Sequence, residues 1–183
     1  MAGNDPILKA MLPGLAEIRS EIWVADDNAD VRLLLKHGFR RSYPPVVVEF
    51  FSDGAELVAR VRQGHATPKV LLLDYDMPEL NGVATVKTLR VEGWLSQTVV
   101  VMFSGNADNA TVSEAYSNGI DLFLHKPRNG NEYVTLANLC AHCLEEGGIP
   151  EEGDFSTARG VTNAFERLMQ KREAMAPNVR ENL

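Results

Sequence analysis

The run Val70-Leu71-Leu72-Leu73-Asp74-Tyr75-Asp76-Met77-Pro78 decides the fold. Four aliphatic residues without polar alternation are what a strand needs when helices cover both of its faces, and the carboxylates directly after them mark where it leaves the core. Working outward, Val99-Val100-Val101-Met102-Phe103 is a second run of this kind, and shorter apolar runs lie at 22–25, 46–50 and 120–124. Five strands are therefore predicted, at 22–25, 46–50, 70–73, 99–103 and 120–124, with the third and fourth in the middle of a sheet. After each strand apolar residues recur at helical spacing: Val31, Leu34 and Leu35; Leu57, Val58 and Val61; Val83, Val86 and Leu89; Val112, Ala115 and Tyr116; Val134, Ala137, Ala141 and Leu144. Turn signals at Pro44-Pro45, Ser52-Asp53-Gly54, Asn118-Gly119 and Asn129-Gly130 separate the elements. The alternation predicts an α/β protein, a doubly wound (βα)5 parallel sheet over residues 21–146.

Composition agrees with one such core. The chain has 183 residues, 45% hydrophobic and 23% charged, which excludes collagen-like, coiled-coil and wholly disordered readings. Its formal charge is −7, from 18 Lys and Arg against 25 Asp and Glu, so it lacks the excess of cations that phosphate-backbone binding requires and no direct nucleic-acid ligand is expected. No run approaches the roughly 18 apolar residues of a membrane span. Residues 1–20 carry Asp5, Lys9, Pro13 and Glu17 where a signal peptide needs an apolar stretch, so a cytoplasmic protein with no membrane partner is expected.

The ends divide from the centre. Residues 1–20 read as an N-terminal extension in which Ile7, Met11, Leu15 and Ile18 share a helical face that Pro13 and Gly14 break or kink. Residues 147–183 read as a linker opened by Gly147-Gly148-Ile149-Pro150, then an amphipathic helix with Val161, Phe165, Leu168 and Met169 on one stripe, ended by Ala176-Pro177. That stripe cannot be buried alone, so it is expected to pack on the central domain or to form a homodimer contact. The tail is too short for a DNA-binding output domain.

In a doubly wound sheet function gathers outside the carboxyl ends of the strands. Here those ends carry Asp26-Asp27, Asp74, Ser104-Gly105 and Lys126-Pro127. Taken singly, Asp-Asp is an ordinary helix cap, Lys-Pro a solvated turn and Ser-Gly a loop. In register at four strand ends they form a set. Three converging carboxylates repel one another unless a cation balances them, and an all-oxygen site without His or Cys favours Mg2+ over Zn2+. A lysine and a hydroxyl beside them suit the oxygens of a phosphoryl group, with a carboxylate as the nucleophile that attacks phosphorus.

As a set these residues resemble the receiver domain of two-component response regulators, in particular stand-alone regulators of the chemotaxis kind. The acidic pair Asp26-Asp27, the stretch from Val70 to Pro78 with Gly82, Ser104-Gly105 and Lys126-Pro127 carry the resemblance. It implies a flavodoxin-like sheet of order 2-1-3-4-5, with Asp74 accepting a phosphoryl group from a histidine kinase or phosphotransfer protein. It further implies that Asp27, Asp74 and the backbone carbonyl of Asp76 hold Mg2+, that Asp26 contributes directly or through water, and that Ser104 and Lys126 contact phosphate oxygens. Phe123 takes the place of a switch aromatic that is often tyrosine, Ser104 that of a commoner threonine, and Arg128 that of an apolar aromatic. The resemblance implies no enzyme activity beyond the chain's own phosphorylation and dephosphorylation. Its signal to a downstream protein is expected to leave through the fourth helix, fifth strand and fifth helix, because the loops holding Ser104 and Lys126 lead into that face.

Two other readings stand beside this one. Asp74-Tyr75-Asp76 also resembles the nucleophile motif of haloacid-dehalogenase-like phosphatases, although Pro78 stands where that family expects Thr or Val and Asp26-Asp27 is left unexplained. A receiver-like module that binds a partner without phosphorylation is the other, against which the intact acidic set argues. Cys140-Ala141-His142-Cys143 has redox or zinc spacing but falls late in a predicted helix, on a stripe with Tyr133 and Leu136, so core or interface packing is expected. His37, His65 and His125 carry no motif and are read as surface or turn.

Overall fold

A computed structural model of the chain describes residues 21–41, 46–64 and 66–149. The expected terminal helices, the Pro44-Pro45 turn and His65 lie outside the described residues. Five parallel strands, β1 (Ile22–Ala25), β2 (Val48–Phe51), β3 (Val70–Asp74), β4 (Val99–Ser104) and β5 (Leu122–His125), form one sheet of order β2-β1-β3-β4-β5. Five helices alternate with them: α1 (Ala29–Arg40), α2 (Gly54–Gly64), α3 (Gly82–Val91), α4 (Asn109–Ser117) and α5 (Gly130–Glu146).

Period-2 alternation splits the core into two layers. Ile22, Val24, Val70, Leu72, Val101, Phe103, Leu122 and Leu124 pack with α1 and α5 on one face. Trp23, Ala25, Leu71, Leu73, Val100, Met102 and Phe123 pack with α2, α3 and Ala115 of α4 on the other. Short polar residues start the helices at the sheet's carboxyl edge. Asn28, Asn81, Asp108 and Asn129 each accept a backbone N–H from the first turn of α1, α3, α4 and α5. Asp53 does the same for Glu56, whose carboxylate returns to Ser52 N at 2.7 Å.

Several details depart from the sequence pattern: β2, β3, β4 and β5 each run one residue further than predicted, to Phe51, Asp74, Ser104 and His125, and Tyr116 is exposed on α4. β2 begins at Val48 rather than 46, because Val48 is the residue that pairs with Ile22 of β1. β5 begins at Leu122 rather than 120, since Ile120 still donates to Ala115 O at the end of α4, and Asp121 both donates to and caps Val100 at the start of β4. Leu34 is 39% exposed, leaving Val31, Leu35 and Phe39 to bury α1.

Cys140 and Cys143 are fully buried free thiols in the α5 layer of the core, with Tyr133 and Leu136, as the stripe predicts. Burial raises both thiol pKa values, that of Cys143 to about 12. Ellman's reagent is therefore expected to leave both thiols unreacted in the folded chain and to titrate both in denaturant; rapid reaction of either in the native state would contradict their packing. Among the described residues no helix is long and apolar enough to cross a membrane.

Candidate functional site

The alternation that builds the core also aims the polar residues. Asp26, Asp74 and Lys126 continue the parity of Val24, Leu72 and Leu124, so all three fall on the α1/α5 side at the carboxyl edge. Lys126 Nζ lies 2.7 Å from Asp74 Oδ2 and 3.0 Å from Asp26 Oδ2, and 5.3 Å from the centre of the Phe103 ring. Register fixes this meeting, since Ser104 pairs with His125 and accepts the Lys126 N–H on its carbonyl at 2.8 Å.

Asp26 and Asp74 are 0% and 1% exposed, whereas Asp27 is exposed. One carboxylate oxygen from each of the three lies within 4.8 Å of the others. Burial pushes the Asp74 carboxyl up to about 6, helped by the charge of Asp26 and opposed by the hydrogen bond from Lys126. Burial likewise raises Asp26, against the attraction of Lys126. Burial alone would lower Lys126, but its bonds to the two carboxylates hold it above the usual lysine range.

Asp26 Oδ1 accepts the Asn28 N–H at 2.9 Å, but the buried Oδ2 has no hydrogen bond, only the ion pair with Lys126. Lys126 is paired with Asp26 and Asp74 and with no oxygen of the third carboxylate, Asp27, and apart from that ammonium the buried Asp26 Oδ2 has no donor. This donor set, oxygen-only and short of positive charge, fits a hard divalent cation.

Ser104, 0% exposed, donates from Oγ to Asp76 Oδ2 at 3.0 Å and accepts the Asn106 N–H at 3.3 Å. Asp76 N donates to Asp74 Oδ1 at 3.3 Å, and its carboxylate reaches outward to the serine. Phe123 is not among the carboxylates. It is buried on the opposite face of the sheet, edge-on to Tyr75 at 6.4 Å, and its N–H donates to Tyr116 Oη at 3.1 Å. His125 ends β5, exposed, and His37 is exposed on α1, as expected.

Close packing at Gly82 brings α3 against the site, because a Cβ there would stand 2.4 Å from Asp74 O and 2.9 Å from Met102 Cε. Two supporting contacts had no place in the motif reading. Arg32 Nη1 donates to Asp26 O at 2.6 Å, pinning the β1 exit, and Tyr133 of α5 lies close enough for the site's charges to act on its phenol, whose pKa burial raises. Position in the first turns of α1 and α5 was the only sequence signal for either.

A parallel sheet of this order, with acidic, hydroxyl and lysine side chains at its carboxyl edge, defines a signalling receiver. The response regulator receiver domain family matches residues 22–138, and the chain belongs to that family. It is 31% identical over 127 residues, 68% of its length, to the protein-glutamate methylesterase/protein-glutamine glutaminase of Thermotoga maritima, but spans only 35% of that protein. It is 28% identical to the chemotaxis protein CheY1 of Helicobacter pylori over 58% of its own length and 85% of that protein. Among solved structures, the response regulator RPA3017 in red light signaling of R. palustris superposes with a TM-score of 0.58 at 29% identity, over 67% of this chain and 91% of that one. The phosphorylated cyanobacterial phytochrome response regulator RcpA, at 19% identity, shares the fold with a TM-score of 0.64 over 73% and 99%. The family match favours the receiver over the phosphatase resemblance of Asp74-Tyr75-Asp76, and the Asp26-Asp27 pair stands beside Asp74.

Proposed function

We propose that the chain is a response regulator in which Asp74 accepts a phosphoryl group from a histidine kinase or phosphotransfer protein, in the presence of Mg2+. The observation that carries this reading is the buried Asp74 carboxylate bridged to Lys126 beside Asp26 and Asp27. Lys126 at 2.7 Å, and a divalent cation between Asp74 and its acidic neighbours, would both favour the ionised carboxylate that acts as the nucleophile. An Asp74 oxygen forms a bond to phosphorus while the bond from phosphorus to the donor's imidazole nitrogen breaks, and that nitrogen leaves with the electron pair.

Lys126 then exchanges a carboxylate for a phosphoryl oxygen. Ser104, on the neighbouring strand end, supplies a hydroxyl to another. Asp27, Asp74 and the carbonyl of Asp76 would hold Mg2+ directly, with Asp26 contributing directly or through water; the ion supplies neutralisation of charge on the transferring group. The exposed position of Asp27 suits a ligand that meets the ion from the solvent side.

Acetyl phosphate with Mg2+ is expected to add one phosphoryl mass to the chain. The mass is lost in alkali and absent without the metal. Undiminished labelling of Asp74→Asn would sink the assignment. Asp27→Ala is expected to weaken Mg2+ binding roughly tenfold or more in a calorimetric titration, and unchanged affinity would mean that the metal is held elsewhere.

Output is read at α4, β5 and α5. The N–H of Phe123 is tied to Tyr116 of α4, so a phosphoryl group that draws on Ser104 and Lys126 acts on both ends of one connected face. A downstream protein or a second copy of the chain is the partner proposed for it, and sedimentation of the full chain with and without a beryllofluoride phosphate mimic tests the second.

A further inference from the structure

The geometry points to the Asp76 carboxylate as a restraint on Ser104: in the unphosphorylated chain it holds the serine hydroxyl proton that the phosphoryl group needs. This inference rests on the phosphoryl-acceptor reading of Asp74 and concerns the side chain of Asp76, not its backbone carbonyl.

A serine hydroxyl has one O–H to donate and lone pairs to accept with. Ser104 Oγ gives that proton to Asp76 Oδ2 at 3.0 Å, while one lone pair takes the Asn106 N–H at 3.3 Å. Ser104 is fully buried, so water does not stand in for Asp76 as the acceptor of its proton. A phosphoryl oxygen arriving on Asp74 therefore meets a hydroxyl whose one proton already points at Asp76 Oδ2, in a bond at the long end of the O–H···O range and so one that can be exchanged.

The restraint is built into the loop that follows the phosphoacceptor. Asp76 stands two residues after Asp74, and its N–H is anchored on Asp74 Oδ1 at 3.3 Å. The same residue thus touches the acceptor through its backbone and the switch hydroxyl through its side chain. Because Asp76 is exposed, its carboxylate can swing into water once released, which makes the contact breakable rather than structural. Ser104 then turns its proton to the phosphoryl oxygen. Asp76 is a positioning residue in this scheme, acting through Ser104.

A double-mutant cycle separates the restraint from simple charge repulsion. The measured quantity is the rate of acetyl phosphate labelling with saturating Mg2+ in the full chain, for the parent, Asp76→Ala, Asp76→Asn, Ser104→Ala and Asp76→Ala/Ser104→Ala. Native circular dichroism and unfolding midpoint are checked for each. Removing the restraint is expected to raise the rate about three- to tenfold in Asp76→Ala. Asp76→Asn, which loses the charge but keeps an acceptor for the hydroxyl, should gain less. In the Ser104→Ala background Asp76→Ala should change the rate by less than about twofold, since no hydroxyl remains to release. Equal gains with and without the serine, or equal gains for Asp76→Ala and Asp76→Asn, would overturn the restraint and leave repulsion as the explanation. Absence of labelling in the parent would overturn the phosphoryl-acceptor reading itself, and the restraint with it.

Discussion

Replacing Asp74 by asparagine is expected to raise the unfolding free energy of the metal-free chain by about 1 to 3 kcal/mol at pH 7. The folded chain holds Asp26 and Asp74 out of water against one lysine, and burial lifts Asp74 from 3.8 to about 6. A carboxyl whose folded pKa is raised stabilises the fold fully only below its unfolded pKa, and that stability is lost as pH rises through the folded value. The cost is therefore small near pH 4, grows between the unfolded and folded values and is nearly complete at pH 7. Asparagine removes the buried charge and keeps the shape, while Lys126 retains Asp26 as its partner.

Urea unfolding of parent and Asp74→Asn in EDTA, at pH 4 and pH 7, measures the difference. It should shrink toward zero at the lower pH. Saturating Mg2+ should stabilise the parent more than the variant, by mass action on the folded state. A variant that is no more stable than the parent, or a gain independent of pH, would contradict this electrostatic account.

Gly82→Ala is expected to be among the most damaging single-methyl changes, costing about 3 kcal/mol. Alanine in place of glycine inside a helix ordinarily gains up to roughly 1 kcal/mol. At position 82 the sign reverses, because the new Cβ would stand 2.4 Å from Asp74 O, a backbone atom of the central strand that cannot move aside. Either α3 shifts off β3 or the end of β3 shifts, and both displace the loop that carries Asp76. Loss of Mg2+ affinity should therefore accompany the loss of stability. Gly130→Ala is the control: it opens α5, and a Cβ there meets nothing within 4 Å, so its stability should match the parent within a few tenths of a kcal/mol. Equal stability of Gly82→Ala and Gly130→Ala would show that α3 tolerates displacement.

The residues that built the fold were legible because buried parallel strands leave little choice. Leu71 to Leu73 and Val100 to Phe103 are covered on both faces, so their composition announces them wherever they are read. The same holds for Asp26, Asp74, Ser104 and Lys126, since a strand's end and its parity fix both where a side chain lies and which way it points.

What depends on a loop or on an interhelical distance was not legible. The hydrogen bond from Ser104 to Asp76 needs the turn after β3 to fold back toward β4, and nothing in the order of residues specifies that path. Arg32 reaches Asp26 O across a helix turn, and Tyr116 leaves the α4 core pattern to bind Phe123 N. The edges of β2 and β5 moved because pairing with β1 and β4, rather than local hydrophobicity, sets where a strand begins.

The central claim, that the Asp74 side chain itself becomes an acyl phosphate, is tested most directly by locating the modified carboxyl. The chain is treated with acetyl phosphate and Mg2+, reduced with borohydride, which converts an acyl phosphate to an alcohol, then digested and sequenced by tandem mass spectrometry. The account predicts homoserine at position 74 in the treated chain and unmodified Asp74 when Mg2+ is withheld. Reduction at Asp26, Asp27 or Asp76 instead, or a phosphoryl group that survives borohydride on a serine or histidine while Asp74 stays intact, would contradict it.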